Sequence, residues 1–461
     1  MKVAVIGAGG HVGFPFSCVL AEAGHTVYGI DINQSAVDGL NKGLVPYVEE
    51  GAEDMLRKNL KNERLLFTTD FDFIEDVDVV AIMIGTPVDG DGNARLDDLF
   101  DFVDTTLIPR MSKHQLIVLR STVSPGTTEV LRKHIEKKHG WREGLDYFLV
   151  FCPERVVQGK SIIETTKLPQ IVGAFNDFSY KAAKDFFSTF ITNQIFQLTP
   201  KEAELGKLMT NMYRYVTFAF ANEMWMIGEK HGVNIDKVID ACNYDYPRMD
   251  VPHPGPNVGG PCLFKDGRFL LSDIPFGDLI QTSFLINEGM PEYVFNRIKE
   301  MNPDVEKVLI MGATFKKGCD DTRNSLSFKM KKVCKKHGVE AYMVDPLHVE
   351  DLRIPDTKEF DAVVVMTPHD EFVDPKEMGY TLESFIQIIR QKYDENLKEF
   401  TIGIQNINDK CIDFNGVKFD VSGMKKFLKI LDNIDPSIKL VYGGLETFNG
   451  VPIRKYIELF F

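Results

Sequence analysis

A short apolar run, Lys2–Ile6, stops on Gly7-Ala8-Gly9-Gly10-His11-Val12-Gly13, and a helix pattern follows to Ala23. A second run, Val27–Ile30, closes on Asp31. Strand, glycine turn, helix, strand and acid is the order of a dinucleotide-binding βαβ unit, and it commits the N-terminus to a parallel sheet. The glycines let the backbone approach a pyrophosphate at the helix N-terminus. Asp31 would accept hydrogen bonds from an adenosine ribose and repel a 2′-phosphate, which favours NAD over NADP. The expected cofactor contacts are therefore Gly7, Gly9, Gly10, His11, Val12, Gly13 and Asp31. The spacing departs from G-x-G-x-x-G, because position 12 is Val; the turn fits glycines at 7, 10 and 13, with Gly9 extra. A Rossmann-like unit that binds no dinucleotide shares the same order.

Further βα units follow. Val77–Ile84 runs into Gly85-Thr86-Pro87, and Leu116–Leu119 into Ser121-Thr122-Val123. Tyr147–Cys152 runs into Pro153-Glu154-Arg155 and on to Gln158-Gly159-Lys160, and Gln170–Gly173 is one more strand. Loops at strand C-termini are where such sheets bind ligands, which adds Thr86 and Pro87. The charged segments Glu49–Arg64 and Arg132–Arg142 read as solvated helix surface.

The middle is helical. Lys201–His231 has helical periodicity, and Glu204, Lys207 and Asn211 share one face. Buried, a Lys and an Asn are costly unless paired; exposed, the same spacing is an ordinary solvent stripe. A second helix, Ile235–Cys242, and a loop through Pro256 lead to Val258-Gly-Gly-Pro-Cys-Leu-Phe-Lys-Asp266. A thiol at Cys262 near Lys265 could be held as thiolate, and Asp266 could move a proton. The same spelling fits a structural Cys in a turn. Pro291–Glu300 reads as a helix with Pro at its first position.

The order then repeats. Lys307–Met311 ends in Gly312, Ser327–His337 is helical, Glu340–Val344 closes on Asp345, and Phe360–Met366 closes on Thr367-Pro368. Fewer glycines suggest a ligand other than a dinucleotide. Between the first strand and the helix, Lys316 and Arg323 could clamp a diphosphate or form a charged surface turn. His369-Asp370-Glu371 reads as a solvated loop. Beyond about Phe400, short strands at Thr401–Ile407, Ile412–Val421 and Ile438–Tyr442 surround a helix, Met424–Leu431, with no functional reading.

A chain of 461 residues makes more than one domain. The expected fold is α/β, with two Rossmann-like doubly wound domains joined by a central helical domain. The expected boundaries are 1–198, 199–300, 301–400 and a C-terminal extension, 401–461. A net charge of −14 argues against nucleic acid or an anionic membrane surface as partner. The seven Cys show no close pair and no metal-ligand spacing, so no metal is expected, and the thiols read as reduced in a cytoplasmic protein. The N-terminus lacks a signal-peptide pattern, and no apolar run is long enough to span a bilayer.

Taken together, Gly7–Gly13 with Asp31, Gly85-Thr86-Pro87, Ser121-Thr122-Val123, Pro153-Glu154, Glu204/Lys207/Asn211, Gly259–Asp266, and Phe315-Lys316 with Asp321-Thr322-Arg323 resemble the UDP-glucose/GDP-mannose dehydrogenase family over roughly residues 1–395. The resemblance implies four-electron oxidation of the C6 alcohol of a UDP-sugar to a uronic acid with NAD, through a Cys262 thiohemiacetal and thioester. It implies that Lys207 and Asn211 stabilise oxyanions, that Asp266, helped by Thr122, acts as base or positions water, and that Glu154 serves thioester hydrolysis. Thr122 is also an expected cofactor contact. Substrate contacts would come from Glu154, Arg155, Lys207, Asn211, Arg248, Gly259, Lys316 and Arg323, with Asn287 added by its position. Lys265 would support the thiolate. Arg248 would reach a neighbouring subunit's site in a homodimer or higher homo-oligomer.

Gln158 stands where glucose-type members often have Glu. The stretch Cys152–Lys160 and the loop His253–Pro256 look more like members acting on N-acetylhexosamines. A two-electron hydroxyacid-type dehydrogenase would leave Cys262 and the repeated half unexplained. An inactive nucleotide-sugar-binding homologue would have no need of the full set of catalytic residues.

Overall fold

The computed structural model describes residues 1–87, 95–261, 263–271, 276–347, 359–369 and 372, and the backbone of short strands between 401 and 452. The chain divides into two compact units, Met1–Thr217 with Pro261–Phe284, and Phe218–Gly260 with Leu285–Phe461.

The first unit is built on strands β1 (Lys2–Ile6), β2 (Thr26–Ile30), β3 (Leu65–Thr68), β4 (Val79–Ile82), β5 (Leu116–Leu119), β6 (Phe148–Phe151), β7 (Gln170–Ala174) and β8 (Ile195–Leu198). They form one sheet in the order β3-β2-β1-β4-β5-β6-β7-β8. Neighbours are parallel except β6 and β7. The strands are short apolar runs because both faces are covered. Val3, Val5 and Val27 pack on one side with Phe14, Phe16 and Phe187. Ala4, Ile6, Val80 and Ile117 pack on the other with Val103, Leu131 and Ile135. Strand order reverses between β1 and β4, the switch point where such sheets bind ligands.

Helices α1 (Gly13–Glu22), α2 (Gln34–Asn41), α3 (Ala52–Lys61), α4 (Asp97–Phe102), α5 (Ile108–Arg110), α6 (Thr127–His139), α7 (Ser161–Lys167) and α8 (Asp177–Phe187) connect the strands. The long α9 (Pro200–His231) follows, then α10 (Ile235–Asn243), α11 (Leu263–Leu271) and α12 (Asp278–Met301). Both unit boundaries at Thr217 and Phe284 fall inside helices.

The second unit repeats the parallel pattern on a smaller scale. Strands β9 (Lys307–Met311), β10 (Glu340–Val344) and β11 (Ala362–Val365) pair in the order β10-β9-β11, with α13 (Ser327–Lys336) between the first two in sequence. In the extension, Thr401–Ile404 pairs in parallel with Lys439–Tyr442, and Cys411–Phe414 pairs antiparallel with Val417–Asp420. The expected helix Met424–Leu431 lies outside the described residues.

Several expectations are corrected. Pro291 lies inside α12 and does not start a helix. Glu49 is not solvated: it is buried and accepts hydrogen bonds from the Gly159 and Ile162 N–H groups and the Ser161 hydroxyl, capping α7 from a distant loop. His369 is buried rather than solvated, while Asp370 and Glu371 lie outside the described residues.

Candidate active site

The glycine turn follows β1 directly. Gly7 has φ +84°, and a Cβ there would lie 2.8 Å from the Met83 carbonyl oxygen. At Gly13 a Cβ would lie 2.2 Å from the Gly7 oxygen, so α1 can start this close to the strand only without a side chain. Gly10 has ordinary room on that side, its nearest neighbour at 3.5 Å, which leaves a cradle where a pyrophosphate fits. Val12 precedes the helix with no side-chain cap, so the first turn presents its N–H groups and partial positive charge. Asp31 accepts from the N–H groups of Gly9 (2.8 Å) and Asn33 (2.9 Å) and is only half-buried, which leaves acceptor capacity for a ribose. The His11 ring packs 4.0 Å from Tyr47, whose hydroxyl donates to the Gly10 oxygen, and Gln158 bonds His11 Nδ1 at 2.7 Å. These residues fit NAD.

Two strands away lies a buried charge pair. Arg120 follows β5 and is 5 % exposed; Glu154 follows β6 and is 9 % exposed. The Arg120 guanidinium lies over the rings of Phe16 and Phe187, donates to Gln170 Oε1 at 3.3 Å, and pairs with Glu154 Oε2. Glu154 Oε1 accepts from the Val156 N–H at 2.7 Å. Burial opposes charge on Glu154, but Arg120, the Val156 N–H and Lys207 outweigh it and hold the carboxyl below the usual range. Arg120 was absent from the expected site; its signal in the sequence is an Arg closing an all-apolar buried strand. Arg155, half-buried, donates to the Pro169 carbonyl.

Helix α9 presents the third group. Glu204 is 1 % exposed and takes the N–H groups of Gly126 (2.5 Å) and Thr128 (2.7 Å) and the Thr128 hydroxyl (2.6 Å), so it caps α6. One helical turn on, Lys207 is half-buried and acts electrostatically on both Glu154 and Asp266. Asn211 donates to Asp266 Oδ2 at 2.6 Å. Asp266, on α11, is fully buried, and its Oδ1 has no hydrogen-bond partner among the described residues. Burial raises its carboxyl above the usual range, against Lys207, Lys265 and Asn211. A buried oxygen with an open lone pair, on a carboxyl readied to take up a proton, suits a general base. The approach of α11 to α9 depends on Gly267, where a Cβ would lie 2.8 Å from the Met212 sulfur.

The Lys265 ammonium donates to the Thr86 carbonyl at 2.9 Å, while the Thr86 hydroxyl donates to the Thr122 carbonyl at 2.6 Å. This ties together the loops that follow β4 and β5. Thr86 is buried and Pro87 exposed. Among the described residues no hydrogen bond joins Thr122 to Asp266. Cys262 lies outside the described residues. Cys18, Cys152, Cys319 and Cys334 are buried, and burial pushes their thiols up, to about 12 for Cys319 and about 11 for Cys334.

The second unit holds the other expected contacts. Gly259 and Gly260 lie against the loop after β9: a Cβ on Gly259 would meet the Asn324 oxygen at 2.4 Å, and one on Gly260 the Phe315 ring at 2.8 Å. Beside them Asn257 donates to the Thr314 carbonyl (2.9 Å) and Thr367 Oγ1 (2.8 Å) and accepts from the Leu326 N–H (2.7 Å). This knot also escaped the sequence. On the same loop Lys316 is half-buried, and Asp321 grips the Arg323 guanidinium at 2.6–3.0 Å. Arg248 is exposed, its Nε donating to the Tyr246 hydroxyl at 3.0 Å. Asn287 is fully buried and accepts from Asn222, itself an acceptor for the Gly255 N–H.

Three regions match the UDP-glucose/GDP-mannose dehydrogenase family: its NAD binding domain over residues 1–191, its central domain over 201–282 and its UDP binding domain over 309–388. The chain therefore belongs to that family and is an NAD-dependent nucleotide-sugar dehydrogenase. It is 32% identical to a UDP-N-acetyl-D-mannosamine dehydrogenase of Methanococcus vannielii over 387 residues, covering 80% of this chain and 87% of the relative. Among solved structures it resembles the UDP-D-ManNAc dehydrogenase of Pyrococcus horikoshii (TM-score 0.75, 28% identity, 87% of this chain and 94% of that one). It also resembles a UDP-glucose dehydrogenase of Pyrobaculum islandicum (TM-score 0.73, 26% identity, 80% and 90%). Among the described residues no helix is long and apolar enough to cross a membrane.

Proposed function

We propose that the chain oxidises the C6 alcohol of a UDP-N-acetylhexosamine, of the N-acetylmannosamine type, to the uronic acid in two hydride steps without releasing the aldehyde. The observation that carries this reading is the trio of half-buried Lys207 with buried Asn211 and Asp266, which combines a cation, an amide donor and a carboxyl with an open oxygen in the NAD-binding unit. Relatives named for UDP-N-acetyl-D-mannosamine support the sugar class.

NAD, when bound at Gly7–Gly13 and Asp31, supplies the hydride acceptor, with Thr86, Pro87 and Thr122 beside it. Asp266 takes the C6 hydroxyl proton as hydride leaves that carbon, directly or through water. Lys207 and the Asn211 amide hold the developing oxyanion, a contribution of about 3–4 kcal/mol per donor. The Cys262 thiolate then adds to the aldehyde carbon, and loss of a second hydride from that tetrahedral adduct, to a second NAD taken up after the first NADH has left, would give a thioester. Water, deprotonated by Glu154, attacks the thioester carbon; the C–S bond breaks, and the acid and the thiolate separate. Burial raises the thiols of Cys18, Cys152, Cys319 and Cys334 and makes them poor nucleophiles; the role is given to Cys262 because it is the thiol of the family motif Gly259–Asp266. Lys316, Arg323, Gly259 and Arg155 hold the UDP-sugar, with Arg248 serving a neighbouring subunit of a homo-oligomer in the cytoplasm. The domains divide near residues 198, 300 and 400.

The test is NADH yield and product analysis against a panel of UDP-sugars. UDP-N-acetylmannosamine should give two NADH per sugar with no free aldehyde, and UDP-glucose much less. Full turnover by Cys262→Ser would refute the covalent step.

A further inference from the structure

We propose that Arg120 is a positioning residue that fixes Glu154 as the carboxylate needed for thioester hydrolysis, and so sets the acid limit of the second half of the reaction. The inference rests on the function proposed above.

Its basis is geometric. A base that deprotonates water must itself be ionised, yet Glu154 is almost wholly buried. Of its two oxygens, Oε2 faces the guanidinium and Oε1 the Val156 N–H. The guanidinium cannot swing away. Phe16 lies 4.5 Å and Phe187 5.6 Å from its central carbon, and Gln170 holds a second nitrogen. The rings belong to the core that packs α1 and α8 on the sheet, so the cation is set against packed core side chains. Glu154 lies in a cleft with Arg155, Val156, Thr165 and Gln170, which gives water access to a carboxylate otherwise enclosed by protein.

The charged groups around Glu154 come from several elements. Arg120 approaches from the end of β5, Lys207 from α9 and Arg155 from the next position in the chain; Glu164 of α7 lines the same cleft and accepts from the Val157 N–H at 2.7 Å. Lys207 is shared with Asp266, and Arg155 is turned to the Pro169 carbonyl, so Arg120 is the cation committed to Glu154. Its removal should raise the Glu154 carboxyl, because the neighbouring guanidinium is what favours its ionised form against burial.

The experiment compares wild type, Arg120→Met, Arg120→Gln, Arg120→Lys and Glu154→Gln as full chains. NADH bursts are followed by rapid mixing, and intact mass is recorded during turnover of UDP-N-acetylmannosamine across pH. Folding of each variant is checked by thermal melting. Arg120→Met and Arg120→Gln should form NADH in the burst at the wild-type rate, then stall at neutral pH with a uronyl adduct on the enzyme. Hydrolysis should return at higher pH, with the acid limb moved up by ~1 unit or more. Glu154→Gln should stall at every pH, and Arg120→Lys should restore most of the wild-type profile. If Arg120→Met fails to fold, Arg120→Gln and Arg120→Lys carry the comparison. An unmoved acid limb with wild-type hydrolysis in either neutral variant overturns the assignment. A wild-type enzyme that makes only one NADH per sugar overturns the underlying function instead, so the two failures read differently.

Discussion

The two nucleotide-binding halves share a frame and use its acid in opposite ways. Asp31 ends β2 and Asp345 ends β10, each reaching back to backbone N–H groups of the turn after the preceding strand: Gly9 in one, Ala313 and Thr314 in the other. Asp31 stays half-exposed, holding Gly9 and Asn33. Asp345 is 2 % exposed and surrounded by donors: the Ala313, Thr314 and Leu347 N–H groups, the Thr314 hydroxyl and His369. A ribose needs an unspent acceptor. The first half keeps one, whereas the second has turned the same acid into the anchor of the loop that carries Lys316 and Arg323. Repetition of a fold thus says little about repetition of a ligand.

The sharpest break of this comparison is Asp345→Ala. It strips a buried carboxylate from a ring of donors and should cost about 3–5 kcal/mol of stability in the second unit, with NAD affinity unchanged. Chemical denaturation of the full chain and a titration with NAD read both. A wild-type midpoint would mean that Asp345 is not an anchor.

Next in size is Asp31→Ala. It should weaken NAD binding ~10–100-fold, as for loss of a hydrogen bond to a charged group, and cost about 1 kcal/mol of stability through the Gly9 N–H. Asp31→Asn should narrow the preference for NAD over NADP, because the charge that repels a 2′-phosphate is gone. Equal stability losses at positions 31 and 345 would erase the distinction between the halves.

A smaller effect is expected at Arg323→Lys. Asp321 orients the guanidinium through three contacts that an ammonium cannot reproduce. The KM for UDP-sugar should rise by ~10-fold or less, while NAD affinity stays put and stability changes by about 1 kcal/mol or less, because Lys keeps a cation beside the buried Asp321 carboxylate and the position 323 end of the pair is exposed. Steady-state kinetics with each substrate varied in turn checks this.

What the sequence disclosed follows from the same contrast. Local signals carried: β1, the glycine turn, α1 and Asp31 are read from adjacent residues, and so are the apolar runs of β5 and β9 and the long period of α9. Contacts between distant segments did not. Nothing near Glu49 says that it caps a helix more than a hundred positions away, because the Gly159 N–H that it meets comes from another βα unit. Helix α11 went unrecognised because Gly259, Gly260 and Pro261 spell a turn and hide the helix that begins at Leu263. Pro291 reads as a helix start from sequence because a proline at the first turn and one inside a longer helix look alike until neighbours are known. For the site, residue types were legible from motifs, but the pairing of Asn211 with Asp266, the bond from Lys265 to Thr86 and the Arg120–Glu154 couple required tertiary contacts.

The smallest expected difference between the halves lies in their response to acid. Burial opposes charge on Asp345, but His369 and the Thr314 and Leu347 N–H groups hold its carboxyl below the usual value. As pH falls, the unfolded chain therefore takes up this proton before the folded one does. The stabilisation is complete above pH ~4 and drains away as pH drops through the folded value. Glu49 in the first unit has the opposite sign: burial, only partly offset by Ile162, Ser161 and Gly159, raises its carboxyl. Here the unfolded chain loses its proton first, so stability falls as pH rises from ~4.3 towards the raised folded value. Glu49→Gln keeps an acceptor for α7 and removes the titration. It should flatten the decline on that mildly acidic rise by about 1 kcal/mol or less, without touching the steep loss at lower pH that belongs to Asp345. Denaturation midpoints between pH 3 and 7 separate the two. If Glu49→Gln shifts the low-pH loss instead, the opposing electrostatics assigned to the two units are wrong.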